Sequence, residues 1–149
     1  MNEQKRILCV DDEPVNLKLL EAVFVPKGYE VVMANNGREA LERISEKRID
    51  IVLLDAMMPE MIGFDTCRRI KEDERYRNIP VVMITALRSK EDRIKSIEAG
   101  AEDFISKPFD VEEVIARVKM LLRMKNLNDR LNDAYNTYKA SGCQGQKRS

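Results

Sequence analysis

The sequence contains no histidine. Histidine catalysis, a histidine-ligated metal and self-phosphorylation on histidine are therefore excluded. Cysteine is scarce and scattered, at Cys9, Cys67 and Cys143. No CxxC pair forms and no disulfide framework is written into the spacing, which suits a reducing cytosol. No apolar run reaches the roughly 18 residues of a membrane span. No basic start leads into an apolar segment of the secretory kind. The expectation is a soluble, cytoplasmic protein with no membrane partner. Net charge is also missing, with 26 basic against 26 acidic residues, so bulk charge gives nucleic acid no hold. The balance is uneven along the chain, because six basic and only two acidic residues follow residue 122. Internal repeats and low-complexity segments are absent. A chain of 149 residues then points to one domain with an appendage.

What is present is a rhythm. Five short apolar runs occur at 6–10, 30–34, 49–55, 80–85 and 103–107. The first, third and fourth are nearly continuous aliphatic, as parallel strands buried on both faces require. Helical spacing fills the intervals. In "PVNLKLLEAVFVPKG" Val15, Leu19, Leu20 and Val23 share one side, and Gly28 is a stop signal. "GREALERISEK", "GFDTCRRIKED" and "SKEDRIKSIEAG" follow, the last ending at Gly100. A fifth helix opens at "DVEEV", where Asp110 and Glu113 are placed to cap one another. Five β-α units in succession predict an α/β fold, an open parallel sheet with helices on both faces.

In such sheets ligands bind beyond the carboxyl ends of the strands. Here those ends carry chemistry: Asp11, Asp12 and Glu13 after the first run, Asp55 after the third, Thr85 at the fourth and Lys107 before Pro108 at the fifth. In a strand order of 2-1-3-4-5 these groups share one rim. Three carboxylates in one pocket repel unless a cation sits among them. An oxygen-only set suits Mg²⁺. Lys107 adds a positive charge and Thr85 a hydroxyl, which leaves Asp55 as a carboxylate nucleophile of the aspartyl-phosphate type. Taken singly, each motif is more often a turn, a helix cap or a loop. Four strand ends converging by accident is the weaker explanation.

At these residues the chain resembles the response-regulator receiver domain of bacterial two-component signalling. The resemblance is carried by "ILCVDDEPVN", "IVLLDAMMPEMIGFD", "IPVVMITAL" and "GAEDFISKPFD", spread over residues 6–122. It implies a flavodoxin-like (βα)5 doubly wound sheet in the order 2-1-3-4-5. It implies that Asp55 accepts a phosphoryl group from a partner histidine kinase or histidine phosphotransfer protein. It also implies Mg²⁺, or Mn²⁺ in its place, held by Asp12, Asp55 and the backbone carbonyl of Met57, with Asp11 acting through water. Thr85 and Lys107 are expected to contact the phosphoryl group, the Lys107–Pro108 bond to be cis, and Thr85 and Phe104 to form the switch. Phosphorylation would then alter the face made by the fourth helix, fifth strand and fifth helix. Met57 and Leu87 are expected to impede attacking water and lengthen the phosphoryl lifetime.

The resemblance implies a regulatory phosphoacceptor with self-phosphorylation and autodephosphorylation chemistry only, and no other enzyme activity. An aspartate-based phosphohydrolase of the haloacid dehalogenase kind wants a second Asp where Met57 stands. A flavin or nucleotide carrier wants a first loop that attracts phosphate, and "DDEPVN" is acidic. A module that dimerises without phosphorylation would not need an intact acidic pocket.

The fifth helix does not stop with the domain. Val114, Ile115, Val118, Leu121 and Leu122 are set to face the sheet. A second stripe, Met120, Met124, Leu127, Leu131, Ala134 and Tyr138, is spaced 4, 3, 4, 3, 4, a heptad seam of under three heptads. The expected organisation is a receiver over 1–122, an extended linker or coiled-coil helix over 123–140, and a disordered tail over 141–149. The linker is similar to those joining receivers to cyclic-di-GMP synthases or HD-type phosphodiesterases. A homodimer is expected through the switch face, the long helix or both. A DNA-binding role for the basic tail is the weaker expectation, since it has no recognition helix after a turn.

Overall fold

A computed structural model describes residues 4–56, 63–86 and 90–146, excluding the side chains of Thr85 and of 141–146. Five strands form one parallel sheet: β1 (Arg6–Val10), β2 (Glu30–Ala34), β3 (Ile51–Leu54), β4 (Val81–Thr85) and β5 (Asp103–Ser106). Their order is β2-β1-β3-β4-β5, as the family resemblance implies. The connecting helices are α1 (Pro14–Phe24), α2 (Gly37–Glu46), α3 (Gly63–Glu72), α4 (Lys90–Glu98) and α5 (Val111–Gln146). A single turn of 3-10 helix, Val25–Lys27, follows α1 and ends at Gly28, whose φ of 96° is the left-handed stop that glycine supplies.

The sheet divides two cores. One face carries Leu8, Val10, Val52, Leu54, Val81 and Met83 against Ala40 and Ile44 of α2 and Phe64, Cys67 and Ile70 of α3. The other carries Ile7, Cys9, Ile51, Leu53, Val82 and Ile84 against α1 and α5. Because helices cover both faces, β3 is apolar throughout, and none of its four side chains exceeds 1% exposure. Burying each stabilises by about 1.5–3 kcal/mol, against roughly 1–2 kcal/mol per residue of backbone entropy.

The buried stripe of α1 differs from the expectation. Leu17, Leu20 and Phe24 are buried, while Val15 and Leu19 are exposed. The helix is apolar on two sides, and spacing alone did not say which side met the sheet. Phe24 decides it, fully buried with its ring edge-on to Tyr29 at 5.6 Å. The cap of α5 is also simpler than expected. Asp110 Oδ1 accepts from the Glu112 amide at 2.9 Å, but Glu113 turns forward to Arg117 at 3.1 Å. A fuller cap occurs at α2, where the Asn36 side chain accepts from the Glu39 amide and the Glu39 side chain accepts from the amide of Asn35, one residue before the cap.

In α5, Val114, Val118, Leu121 and Leu122 are buried on the sheet as expected, with Ile115 partly so. The helix continues without a break to Gln146.

Candidate functional site

The strand ladder extends one residue past β1 and β3, and this fixes the acidic residues. The Asp11 amide donates to Ala34 O at 3.2 Å, and the Asp55 amide donates to Val10 O at 3.0 Å. Both carboxylates therefore emerge at the same sheet end, 4% and 6% exposed, with Asp12 beside them in solvent. Carboxylate oxygens of Asp11, Asp12 and Asp55 lie within 4.8 Å of one another. From β5, Lys107 reaches back across the rim. Its Nζ is 2.9 Å from Asp11 Oδ2 and 3.3 Å from Asp55 Oδ2. The Lys107–Pro108 bond is cis. Burial works to lower the lysine pKa, yet its hydrogen bond to Asp11 and the Asp55 charge prevail, so the ammonium is held above the usual lysine range.

These carboxylates fit a hard divalent cation. The donors are oxygen only, they converge, and a lysine already bridges two of them, so the pocket calls for positive charge.

Thr85 ends β4 and pairs with Ser106, one step beyond the paired Ile84 and Ile105; its side chain, and all of Met57 and Leu87, fall outside the described residues. Phe104, paired with Met83, is partly buried against the α2/α3 core. The sheet order and the rim thus bring Asp11, Asp12, Asp55 and Lys107 together, with Phe104 on β5, the strand that leads to Lys107.

Three contributors escaped the sequence reading. Asn16, in the first turn of α1, donates to Asp11 Oδ2 at 3.1 Å and to Glu13 Oε1 at 2.9 Å, tying the acidic loop to its helix. Its place in "DDEPVN" was the available signal. Arg93 of α4 stacks over the Phe104 ring, 4.9 Å from its centroid, a pairing no local pattern announces. Gly63 opens α3 directly behind the Asp55 backbone. A Cβ there would lie 2.1 Å from Asp55 O, so only glycine permits the approach. The glycine in "MPEMIGFD" is visible in sequence, but its neighbour across the fold is not.

The response regulator receiver domain family matches residues 7–119. The chain belongs to that family. It is 48% identical over 126 residues to the response regulator PleD of Caulobacter vibrioides, an alignment spanning 85% of this chain and 28% of PleD. It is 42% identical over 118 residues to RpaA of Synechocystis, a DNA-binding transcriptional regulator, spanning 79% of this chain and 49% of RpaA. The receiver thus covers under half the length of either relative. Among solved structures, a putative response regulator from Chloroflexus aurantiacus superposes with a TM-score of 0.77 at 34% identity, covering 81% of this chain and 99% of that one. The signal receiver domain of an HD domain-containing protein from Pseudomonas fluorescens gives 0.81 at 24% identity, covering 87% and 95%, a likeness of fold alone. Receivers of this family are regulatory parts of two-component systems. Among the described residues of this one, no helix is long and apolar enough to cross a membrane.

Proposed function

We propose that this receiver is a phosphoryl-accepting switch with Asp55 as the acceptor. The carrying observation is that Asp55 shares its pocket with Asp11, Asp12 and the Lys107 ammonium at the end of a rigid, buried strand. The donor is a phosphohistidine on a histidine kinase or histidine phosphotransfer protein, in keeping with a chain that has no histidine of its own. A carboxylate oxygen of Asp55 attacks phosphorus. An O–P bond forms as the N–P bond breaks, and the imidazole leaves with the electron pair.

Asp12, Asp55 and the Met57 carbonyl would hold Mg²⁺ or Mn²⁺, with Asp11 acting through water. Bound there, the cation supplies charge neutralisation for the phosphoryl oxygens. Lys107 does the same from the other side while remaining protonated, and Thr85 donates its hydroxyl. Movement of Thr85 toward the new oxygens, with Phe104 following, shifts the population of the α4-β5-α5 face. That face carries exposed Ile94 and Ile97, and Arg117 bridges Asp103 and Glu113 on it. Release of Phe104 requires it to leave Arg93.

We read the chain as a receiver over 1–122 followed by a linker over 123–140 and a tail over 141–149, with α5 running through the linker and into the tail as far as Gln146. It acts in the cytoplasm without catalysis beyond its own phosphorylation and dephosphorylation. Copies associate through α4-β5-α5, through extended α5, or through both. Met57 and Leu87 screen the acyl phosphate from water and give it a long life, which a half-life of seconds in Mg²⁺ would refute.

The test is to incubate the chain with Mg²⁺ and acetyl phosphate, or with beryllofluoride, beside Asp55→Asn. Intact mass and near-ultraviolet spectra should change in the parent alone. A phosphoryl adduct that persists in Asp55→Asn contradicts the assignment.

A further inference from the structure

Asp11 is braced from several sides. Its Oδ1 accepts from the Glu13 amide at 2.9 Å. Its Oδ2 accepts from Lys107 Nζ at 2.9 Å and from Asn16 Nδ2 at 3.1 Å. An ionised carboxylate offers about four lone-pair sites, so these donors leave it roughly one. Asn16 reaches Asp11 from the first turn of α1, where it is half-buried. Its Nδ2 also donates to Glu13 Oε1 at 2.9 Å, so both hydrogens of the amide nitrogen go to acids. The opposite amide orientation would set Oδ1 against two carboxylates, and the network therefore fixes this one. Glu13 stands at the cap position of α1 but makes no side-chain cap. Its carboxylate accepts from Asn16 instead. Helix formation alone would favour alanine over asparagine at residue 16. The contacts of Asn16 point to the acidic loop as the reason for it.

We propose that Asn16 is a positioning residue that keeps Asp11 from binding the cation directly. The inference rests on reading the rim as a cation site and specifies how that site discriminates between ions. Asn16 and Lys107 share Oδ2, and the Glu13 amide holds Oδ1, so direct ligation by Asp11 has to displace a donor. The remaining lone pair accepts from a water on the cation. Mg²⁺ dehydrates reluctantly and keeps several waters, whereas Ca²⁺ takes about six to eight oxygens in a flexible arrangement. A carboxylate held in this way suits the smaller ion. Released by Asn16, it can turn about its side-chain bonds and take the place of one water. Asn16 thus sets both how wet the cation stays and which cation is preferred.

The test counts the waters on Mn²⁺ bound to the full chain by water-proton relaxation. Asn16→Ala should show about one coordinated water fewer than the parent. Asn16→Leu, which keeps similar bulk without a donor, should do the same. Adding Asp11→Ala to Asn16→Ala should bring the count back to that of the parent. Glu13→Ala, which leaves Asn16 on Asp11, should match the parent throughout. In calorimetric titrations Asn16→Ala should raise the affinity for Ca²⁺ relative to Mg²⁺ about tenfold, with unchanged circular dichroism. A parental water count in both Asn16 variants overturns the proposal. An equal loss of water in Glu13→Ala also overturns it, since the cause is then a loosened loop rather than Asp11. A parent that binds no Mn²⁺ overturns it together with the cation reading. A parent that binds Mn²⁺ but takes no phosphoryl group from acetyl phosphate overturns the Asp55 reading alone, and the water count still decides the role of Asn16.

Discussion

β3 has an aspartate at each end, and the two could hardly be used more differently. Asp50 precedes the strand and Asp55 follows it, 5% and 6% exposed. Asp50 Oδ2 accepts from the Arg6 amide at 2.8 Å and forms a salt bridge with Arg48. Its charge is matched locally, and the pair stitches β1 to the chain entering β3. Asp55 faces two other carboxylates with one lysine spread between it and Asp11. Burial does not separate these residues; strand direction and the sign of their surroundings do. At the amino end of a parallel sheet a buried carboxylate is balanced. At the carboxyl end it sits among other carboxylates beside the Lys107 ammonium, a setting that a cation and a phosphoryl group can exploit.

The largest expected effect tests this contrast directly. Asp55→Asn should remove all phosphoryl uptake, measured by intact mass. It should also raise thermal stability by about 0.5–2 kcal/mol in metal-free buffer of low ionic strength, because a repelling charge is gone. Added Mg²⁺ should narrow the gap by stabilising the parent. Gly63→Ala comes next. Its methyl meets the Asp55 backbone, so denaturant unfolding should show a loss of about 1–3 kcal/mol, with phosphorylation slowed although no carboxylate has changed. Asp50→Ala should cost a similar or smaller amount, about 1–3 kcal/mol, and leave the phosphorylation rate of folded protein unaltered. If Asp50→Ala abolishes uptake in folded protein, the two ends are not independent.

Lys107→Met should slow uptake at neutral pH. Since the folded-state pKa of Lys107 is raised, its contribution to stability is complete below the ordinary lysine range and is lost only as pH climbs through the raised value. Chemical denaturation of the parent minus that of Lys107→Met should therefore give a constant difference from pH 6 to 9. The smallest effect concerns thiols. Burial pushes Cys67 up to about 12, and burial with Glu21 and Asp11 nearby pushes Cys9 up as well. In a Cys143→Ser background, native protein at pH 8 should resist iodoacetamide, and urea should release both sites.

Much of this was legible in the sequence because parallel sheets write themselves plainly. Continuous aliphatic runs such as "IVLL" mark strands buried on both faces, and the polar residue closing each run marks the rim. The strand order turned a list of strand ends into a pocket containing Asp11, Asp55 and Lys107. What remained hidden depends on contacts between distant segments. Two apolar sides on α1 left its docking face undecided until Phe24 was seen against Tyr29. Glu113 had two partners within reach, and Arg117 won it from the helix cap. The Arg93–Phe104 stack joins α4 to β5 with no shared pattern, and Gly63 is necessary only because the Asp55 carbonyl stands behind it.

The unbroken course of α5 carries a mechanical consequence. Its opening turns are anchored by Val114, Val118 and Leu121, and the part from Leu122 to Gln146 extends about 36 Å at 1.5 Å per residue. A rod clamped at one end magnifies whatever its clamp does. A tilt of about five degrees at the anchored turns would swing the far tip by roughly 3 Å over that length. A repacking too slight to register as movement within the receiver would reach the other extremity as a displacement comparable to an atomic diameter.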